Sequence, residues 1–172
     1  KIAGIKMIES FNKQYNTNYL CLMPCNLFGP NDNYDLKNSH FLPALIKKIY
    51  LASKKTRKNK IVELWGTGKP LREVLYVDEV ADACEFFLRK KINKTLINIG
   101  SSTEMTIKEY ADLIKKKIDP EVLIRFNNDK KLDGVMRKKL NLSLANQYGW
   151  KSKMNFSKVL DEIIRDFKNS HI

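Results

Sequence analysis

The chain has no uninterrupted apolar run approaching the roughly 18 residues that a membrane-crossing helix needs, and its opening residues do not read as a signal peptide. A membrane or secreted protein is therefore not expected. Cysteine is scarce and odd in number. Cys21, Cys25 and Cys84 lie in or beside apolar runs, and Cys21 and Cys25 are not backed by a second metal-ligand pair. Neither a disulfide framework nor a metal site is expected, and reduced thiols in a cytoplasmic protein fit best. Of the 7 glycines, none form a G-x-x-G-x-x-G after a strand. The lone Gly66-Thr67-Gly68 precedes a proline and a strand, so it reads as a turn rather than a dinucleotide loop. Internal repeats and low-complexity linkers are missing too, which excludes solenoids and tails.

Acidic residues are the other shortage: 19 against 32 basic ones, for a formal charge of +13. That excess suggests nucleic acid at first. The lysines, however, are scattered through "KKTRKNK", "RKKINK", "KKKID" and "DKK", with no aromatic-interleaved basic motif. Solvated lysine faces are the plainer reading. Part of the charge can also attract a small anionic substrate, such as a nucleotide or sugar diphosphate. What is present in quantity is apolar: 43% hydrophobic over 172 residues, enough for one ordinary core in one or two modules.

Lys1 to about Tyr15 reads as a helix, because Ile2, Ile5, Ile8, Phe11 and Tyr15 fall near one face. A polar turn, "NTN", leads into a strand over Tyr19 to Met23, and helix followed by strand is half of a parallel α/β unit. In "MPCNLFGPND", Pro24 and Pro30 fit a strand that stops at a sheet edge, since neither can continue a ladder. Asn26 is left over, free to face a ligand at the sheet's carboxyl end. Phe41 to about Ser53 is a second amphipathic helix and "TRKNK" an exposed connector. "IVELW" and "REVLYV" are strands flanking the turn "GTGKP", the second delivering Asp78 to a helix that runs to about Lys90, and "LINIG" is a short buried strand. Thr106 and Glu109 have capping-box spacing at the head of another helix. "VLIRF" is a strand, "NNDKKLDGVMRKKLN" a charged loop, and two short helices follow around Ser143 to Tyr148 and Ser157 to Phe167.

The order of Lys-led helix, strand, "P-x-N-x-x-G-P", "NSHFLPALIKK", "WGTGKPLREVLYVDE", "NIG" and "DGVMRK" resembles the C-terminal part of the GDP-L-fucose synthases. These are extended short-chain dehydrogenases/reductases that make GDP-L-fucose from a GDP-4-keto-6-deoxymannose. The likeness covers essentially the whole chain. It implies an α/β fold: the C-terminal part of an NAD(P)-binding Rossmann fold over residues 1–30 and 77–100, plus a smaller α/β substrate-binding domain over 31–76 and 101–172. It implies NADP(H) as cofactor, a GDP-sugar as substrate, epimerisation at C3 and C5 with reduction at C4, and a cytoplasmic homodimer with no nucleic-acid or membrane partner. A catalytic Tyr lies four residues before a Lys in this superfamily. Aligned here that Lys is Lys1, so the Tyr, the glycine-rich loop, the catalytic Ser/Thr and the epimerising Cys fall upstream. A fragment beginning inside the active-site helix, inactive alone, is the expectation.

The resemblance also assigns roles. Lys1 hydrogen-bonds the nicotinamide ribose and, as a nearby cation, lowers the pKa of the Tyr. Pro24, Cys25, Asn26 and Leu27 border the nicotinamide, with Leu27 packing on it and Asn26 reaching the sugar nucleotide. His40, ending a polar loop just before a helix, also lies beside the cofactor and returns a proton to a carbon next to a ketone. His171, at the chain's end, is incidental. Asn26, Lys48, Trp65, Arg72, Asp133 and Lys138 hold the GDP-sugar: Arg72 as a guanidinium fork for phosphate, Asp133 on a hydroxyl or the nucleotide. The family commonly has Arg at position 48, and Lys keeps the charge but not the fork. "DGVMRK" lacks the proline of the usual "DGTPRK". These departures leave two enzymatic alternatives, a reductase or a 4-epimerase of another nucleotide sugar such as a GDP-heptose. A non-catalytic basic binding protein is the alternative of another class.

Overall fold

A computed structural model describes residues 1–170, so His171 lies outside the described residues. In chain order the elements are α1 (Ile2–Tyr15), β1 (Cys21–Pro24), β2 (Asn26–Phe28), α2 (Phe41–Ser53), β3 (Ile61–Leu64), β4 (Leu71–Tyr76), α3 (Val77–Leu88), β5 (Leu96–Ile99), β6 (Glu104–Thr106), α4 (Ile107–Ile118), β7 (Leu123–Phe126), β8 (Arg137–Lys138), α5 (Ser143–Tyr148) and α6 (Phe156–Ser170). They gather into two units, each assembled from three stretches of chain.

The first unit takes Lys1–Leu27, Val74–Ser102 and Lys139–Met154. Its sheet is the parallel pair β1 and β5, in register from Cys21 opposite Leu96 to Pro24 opposite Ile99. Pro24 therefore stands inside the strand. The amides of Cys21 and Cys25 donate to the Thr95 and Ile99 carbonyls at 2.8 and 3.1 Å, so the alternating residues Leu22 and Pro24 face away from β5. Pro24 lacks its N–H on the side where β5 asks for none, and the ladder loses nothing. Ile97 and Ile99 of β5, Ala83 and Phe87 of α3, and Ala145 and Trp150 form the buried core. The Trp150 indole N–H donates to Asp82 Oδ2 at 2.9 Å, so its burial leaves no donor unpaired. α1 buries none of its residues, and Ile2, Met7, Phe11 and Tyr15 stand exposed.

The second unit takes Phe28–Glu73, Thr103–Lys138 and the chain from Asn155 onward. β3 and β7 pair in parallel, and β4 pairs antiparallel to β6 and parallel to β8. α2, α4 and α6 bring Leu42, Leu45, Ile46 and Ile49, Tyr110 and Ile114, and Leu160, Ile163, Ile164 and Phe167 out of solvent. The capping box forms as its spacing requires: Thr106 Oγ1 accepts from the Glu109 amide at 3.1 Å, and Glu109 Oε2 accepts from the Thr106 amide at 2.6 Å. Lys60 reaches Asp119 and Glu121 at 2.7 and 3.0 Å, fastening the start of β3 to the turn before β7.

β2, β6 and β8 have no counterpart in the sequence reading. They are 3, 3 and 2 residues long, too short to show a period-two pattern, and exist through their partners. The charged loop after β7 is likewise more structured than expected, with a 3-10 turn at Lys130–Leu132 before β8.

Candidate functional site

In the first unit, β1 and β5 end level with each other at Pro24 and Ile99. Ligands of open α/β sheets meet the protein at such carboxyl ends. Pro24 and Cys25 are half-buried there, while Asn26 and Leu27 are exposed, Leu27 by 37%. An apolar side chain presented beside an amide suits one face of an aromatic ring and its polar edge. Lys1, exposed, is the N-cap of α1, and its carbonyl accepts the Ile5 amide at 3.1 Å.

In the second unit, His40 is the N-cap of α2; it is exposed and its side chain makes no capping bond. The preceding loop is knotted around Asp35, whose carbonyl accepts the Asn38 and Ser39 amides and whose carboxylate accepts from the Lys37 amide and Asn38 Nδ2. A groove of about 700 Å³ follows from this loop along one face of α2 to the end of β3. Phe41, Ala44, Leu45 and Lys48 line it at helical spacing, and Trp65 stands across from them. The Lys48 ammonium lies 5.3 Å from the centroid of the Trp65 ring, which is 73% exposed. A cation above a flat, solvent-facing indole can offer a ligand both charge and a stacking surface. Ser39 also lines the groove, and its hydroxyl, shut off from solvent, has no hydrogen-bond partner among the described residues.

Arg72, Asp133 and Lys138 form a second cluster in the same unit. Arg72 Nη1 donates to the Leu71 and Val135 carbonyls at 2.8 and 2.7 Å, and Nη2 to the Asp133 carbonyl at 3.5 Å. The guanidinium thus grips the loop before β8, and Lys138 pairs in register with Arg72 on the adjacent strand. Asp133 Oδ1 accepts from the Thr67 amide and Oδ2 from the Thr67 hydroxyl, both at 2.7 Å. Those bonds, the backbone one foremost, hold the Asp133 carboxyl below the usual carboxylate range against the opposing effect of burial, and Lys69 and Arg72 add to it. A depressed carboxyl stabilises the fold at pH values above its ordinary pKa of about 4, and that contribution is lost as pH falls through the depressed value.

The turn between β3 and β4 joins the two clusters. Gly66 has φ 77°, and a Cβ there would run into the Asp133 carboxylate. At Gly68, φ 74°, a Cβ would lie 2.6 Å from the Phe126 ring. Both positions require glycine. Lys48, Trp65, Arg72, Asp133 and Lys138 are therefore brought together in one unit, while Lys1, Pro24, Cys25, Asn26 and Leu27 belong to the other. The sequence reading missed Ser39, Thr67 and Asn127, whose Oδ1 accepts the Gly66 amide at 2.9 Å. Thr67 carried the one available signal, a hydrogen-bonding side chain between two glycines.

The model of the NAD dependent epimerase/dehydratase family matches residues 1–100. The chain is 41% identical over 155 residues to GDP-L-fucose synthase 1 of Arabidopsis thaliana, covering 90% of this chain and 47% of that protein. To the GDP-L-fucose synthase of Escherichia coli (strain K12) it is 37% identical over 159 residues, covering 87% of this chain and 49% of that protein. The chain thus spans about half the length of these curated relatives. A solved GDP-6-OMe-4-keto-L-xylo-heptose reductase from C. jejuni superposes with a TM-score of 0.85 at 29% identity, over 99% of this chain and 60% of that one. These likenesses agree with the parallel α/β pairing and with the motifs along the sequence: the chain belongs to the NAD dependent epimerase/dehydratase family.

Proposed function

We propose that this chain supplies the GDP-sugar site and the nicotinamide end of the cofactor site of an NADPH-dependent enzyme that converts GDP-4-keto-6-deoxy-D-mannose to GDP-L-fucose. The observation that carries the reading is the convergence, within one unit, of the Lys48–Trp65 groove with Arg72, Asp133 and Lys138 around the Gly66–Gly68 turn. The names of the relatives at 37 and 41% identity support the same reaction.

In this reading residues 1–30 and 77–100 serve the cofactor and 31–76 and 101–172 the substrate, save that Lys139–Met154, expected on the substrate side, packs in the first unit because Ala145 and Trp150 enter its core. NADPH supplies the hydride that reduces C4. Leu27 packs against the nicotinamide, Pro24 to Asn26 border it, and Lys1 holds its ribose and, in a protein of the relatives' length with a Tyr four residues before it, acidifies that Tyr. Asn26 reaches the sugar nucleotide. Lys48, Arg72 and Lys138 offset the diphosphate's charge, Trp65 gives the base a flat apolar surface, and the acceptor positions of Asp133 not used by Thr67 take a hydroxyl. His40 returns the proton to the ring carbon beside the ketone. The exposed Asn26 and Leu27 at the carboxyl ends of a parallel pair fit the nicotinamide end.

The binding half of this reading is tested by calorimetry on the chain itself. GDP is expected to bind more tightly than NADPH, because the substrate-side cations are present whereas the chain contains no glycine-rich loop to cradle the cofactor's pyrophosphate. Tighter NADPH binding would overturn it. The heptose reductase at TM-score 0.85 favours a second reading, C4 reduction of a GDP-heptose, which shares the nucleotide site and the hydride step. Offering both keto-sugars to the whole enzyme separates the two.

The homodimer expected from the resemblance belongs with this proposal. α1 holds Met7, Phe11 and Tyr15 at 58, 43 and 59% exposure, spaced four residues apart on one apolar face that association would cover. Sedimentation of the chain is expected to show concentration-dependent self-association, and a monomer at high concentration would count against the helix as an interface.

A further inference from the structure

We infer that Thr67 is the positioning residue of the nucleotide site, locking the turn that carries Trp65 to the loop that carries Asp133. The inference rests on the reading that this unit takes a GDP-linked ligand.

Trp65 needs such a device. Its ring is 73% exposed, so packing does not fix it, and a ligand that must order a loose indole binds more weakly than one that meets it in place. The backbone on both sides of Trp65 is instead tied to the segment after β7. The Asn127 amide donates to the Leu64 carbonyl at 3.0 Å, the Gly66 amide to Asn127 Oδ1 at 2.9 Å, and the Asn128 amide to the Gly66 carbonyl at 3.0 Å. Thr67 carries the connection on to Asp133. Its amide takes one carboxylate oxygen and its hydroxyl the other, which fixes the rotation of the carboxyl group as well as its place. The same hydroxyl accepts the Lys69 amide at 3.2 Å, so its proton is directed at Asp133. From the far side, Arg72 holds the carbonyls of Val135 and Asp133.

A carboxylate has about four acceptor positions, of which Thr67 occupies one on each oxygen. The directions left for a ligand's hydroxyl are therefore set by Thr67. Trp65 and Asp133 come from distant parts of the chain, and among the described residues the Thr67 hydroxyl makes the one side-chain bond between the Trp65 turn and the Asp133 carboxylate, beside that of the Thr67 amide.

Thr67→Val keeps the shape and the amide bond but removes the hydroxyl. In calorimetry on the 172-residue chain, it is expected to weaken GDP binding about three- to tenfold, the size of one hydrogen bond. Thr67→Ser is expected to restore wild-type affinity, which a role for the methyl group in packing would not allow. Iodide quenching gives a second readout: Trp150 is 3% exposed and Trp65 73%, so the quenchable fluorescence reports Trp65. GDP should shield it from iodide, at correspondingly higher concentration in Thr67→Val. If Trp65→Ala loses GDP binding and Thr67→Val does not, the positioning role is wrong and the GDP reading stands. If Thr67→Ser fails as badly as Thr67→Val, the hydroxyl is not the cause. If the wild-type chain does not bind GDP at all, both readings fall together.

Discussion

Tyr110→Ala is expected to lower the stability of the second unit by about 3–5 kcal/mol, the range for deleting a buried aromatic ring. Tyr110 is wholly out of solvent. Its ring meets Phe41 edge-to-face at 5.4 Å and Phe156 at 5.2 Å, so three helices share it: α4, the first residue of α2 and the first of α6. Its hydroxyl donates to the Arg72 carbonyl at 3.1 Å, which adds β4 to the joint. Those neighbours cannot all collapse into the vacated space, because each belongs to a different element. Tyr110→Phe keeps the rings and loses only the hydrogen bond, so a cost of about 0.5–1.5 kcal/mol is expected. Chemical denaturation of the three proteins measures both differences. A Tyr110→Ala variant as stable as Tyr110→Phe would show that the ring packing contributes little. The substitution also bears on ligand binding: Phe41 adjoins His40 and lines the groove, and Arg72 grips the Asp133 loop. GDP affinity is expected to fall together with stability.

The sequence revealed those parts of the fold that rest on local pattern or local chemistry. α1, α2 and α4 were legible because apolar residues recur at helical spacing, and the Thr106–Glu109 box placed the head of α4 outright. The turn at Gly66–Gly68 was legible because two close glycines before a proline suit no regular element. What escaped was whatever a distant partner imposes. β6 forms because Glu104 to Thr106 lie against Glu73 to Leu71, and nothing within three residues announces such a pairing. Pro24 looked like a strand terminator, since a proline's lost donor is visible in sequence but the side on which the donor is lost is not.

The site divides in the same way. Lys48, Trp65, Arg72, Asp133 and Lys138 were chosen by resemblance, and they do come together in one unit. Their division of labour came only with coordinates. Arg72 spends its guanidinium on loop carbonyls, and Asp133 commits one acceptor position on each oxygen to Thr67. Resemblance proposed which residues belong to the site; hydrogen-bond geometry shows which of them hold the others.

His40→Asn, in a protein of the relatives' full length that carries this sequence, is expected to slow epimerisation by on the order of 100-fold or more, far more than it weakens NADPH binding. Inversion at C3 and C5 needs a base to remove a proton and an acid to return one on the other face, and Asn retains some hydrogen bonding but has no proton to give. The fold should not suffer, because His40 is exposed and makes no side-chain cap to α2, and asparagine is among the best residues at a helix N-cap. A loss of activity therefore cannot be traced to an unwound helix. Lys1→Ala should behave in the opposite way, weakening NADPH binding and slowing reduction, since in the proposed reading Lys1 supplies both the ribose contact and the cation beside the catalytic Tyr. Deuterium incorporation from solvent at C3 and C5, followed alongside NADPH consumption, reads the two steps separately. Unchanged incorporation in His40→Asn would strip His40 of the proton-donor role and leave it a contact to nicotinamide or substrate.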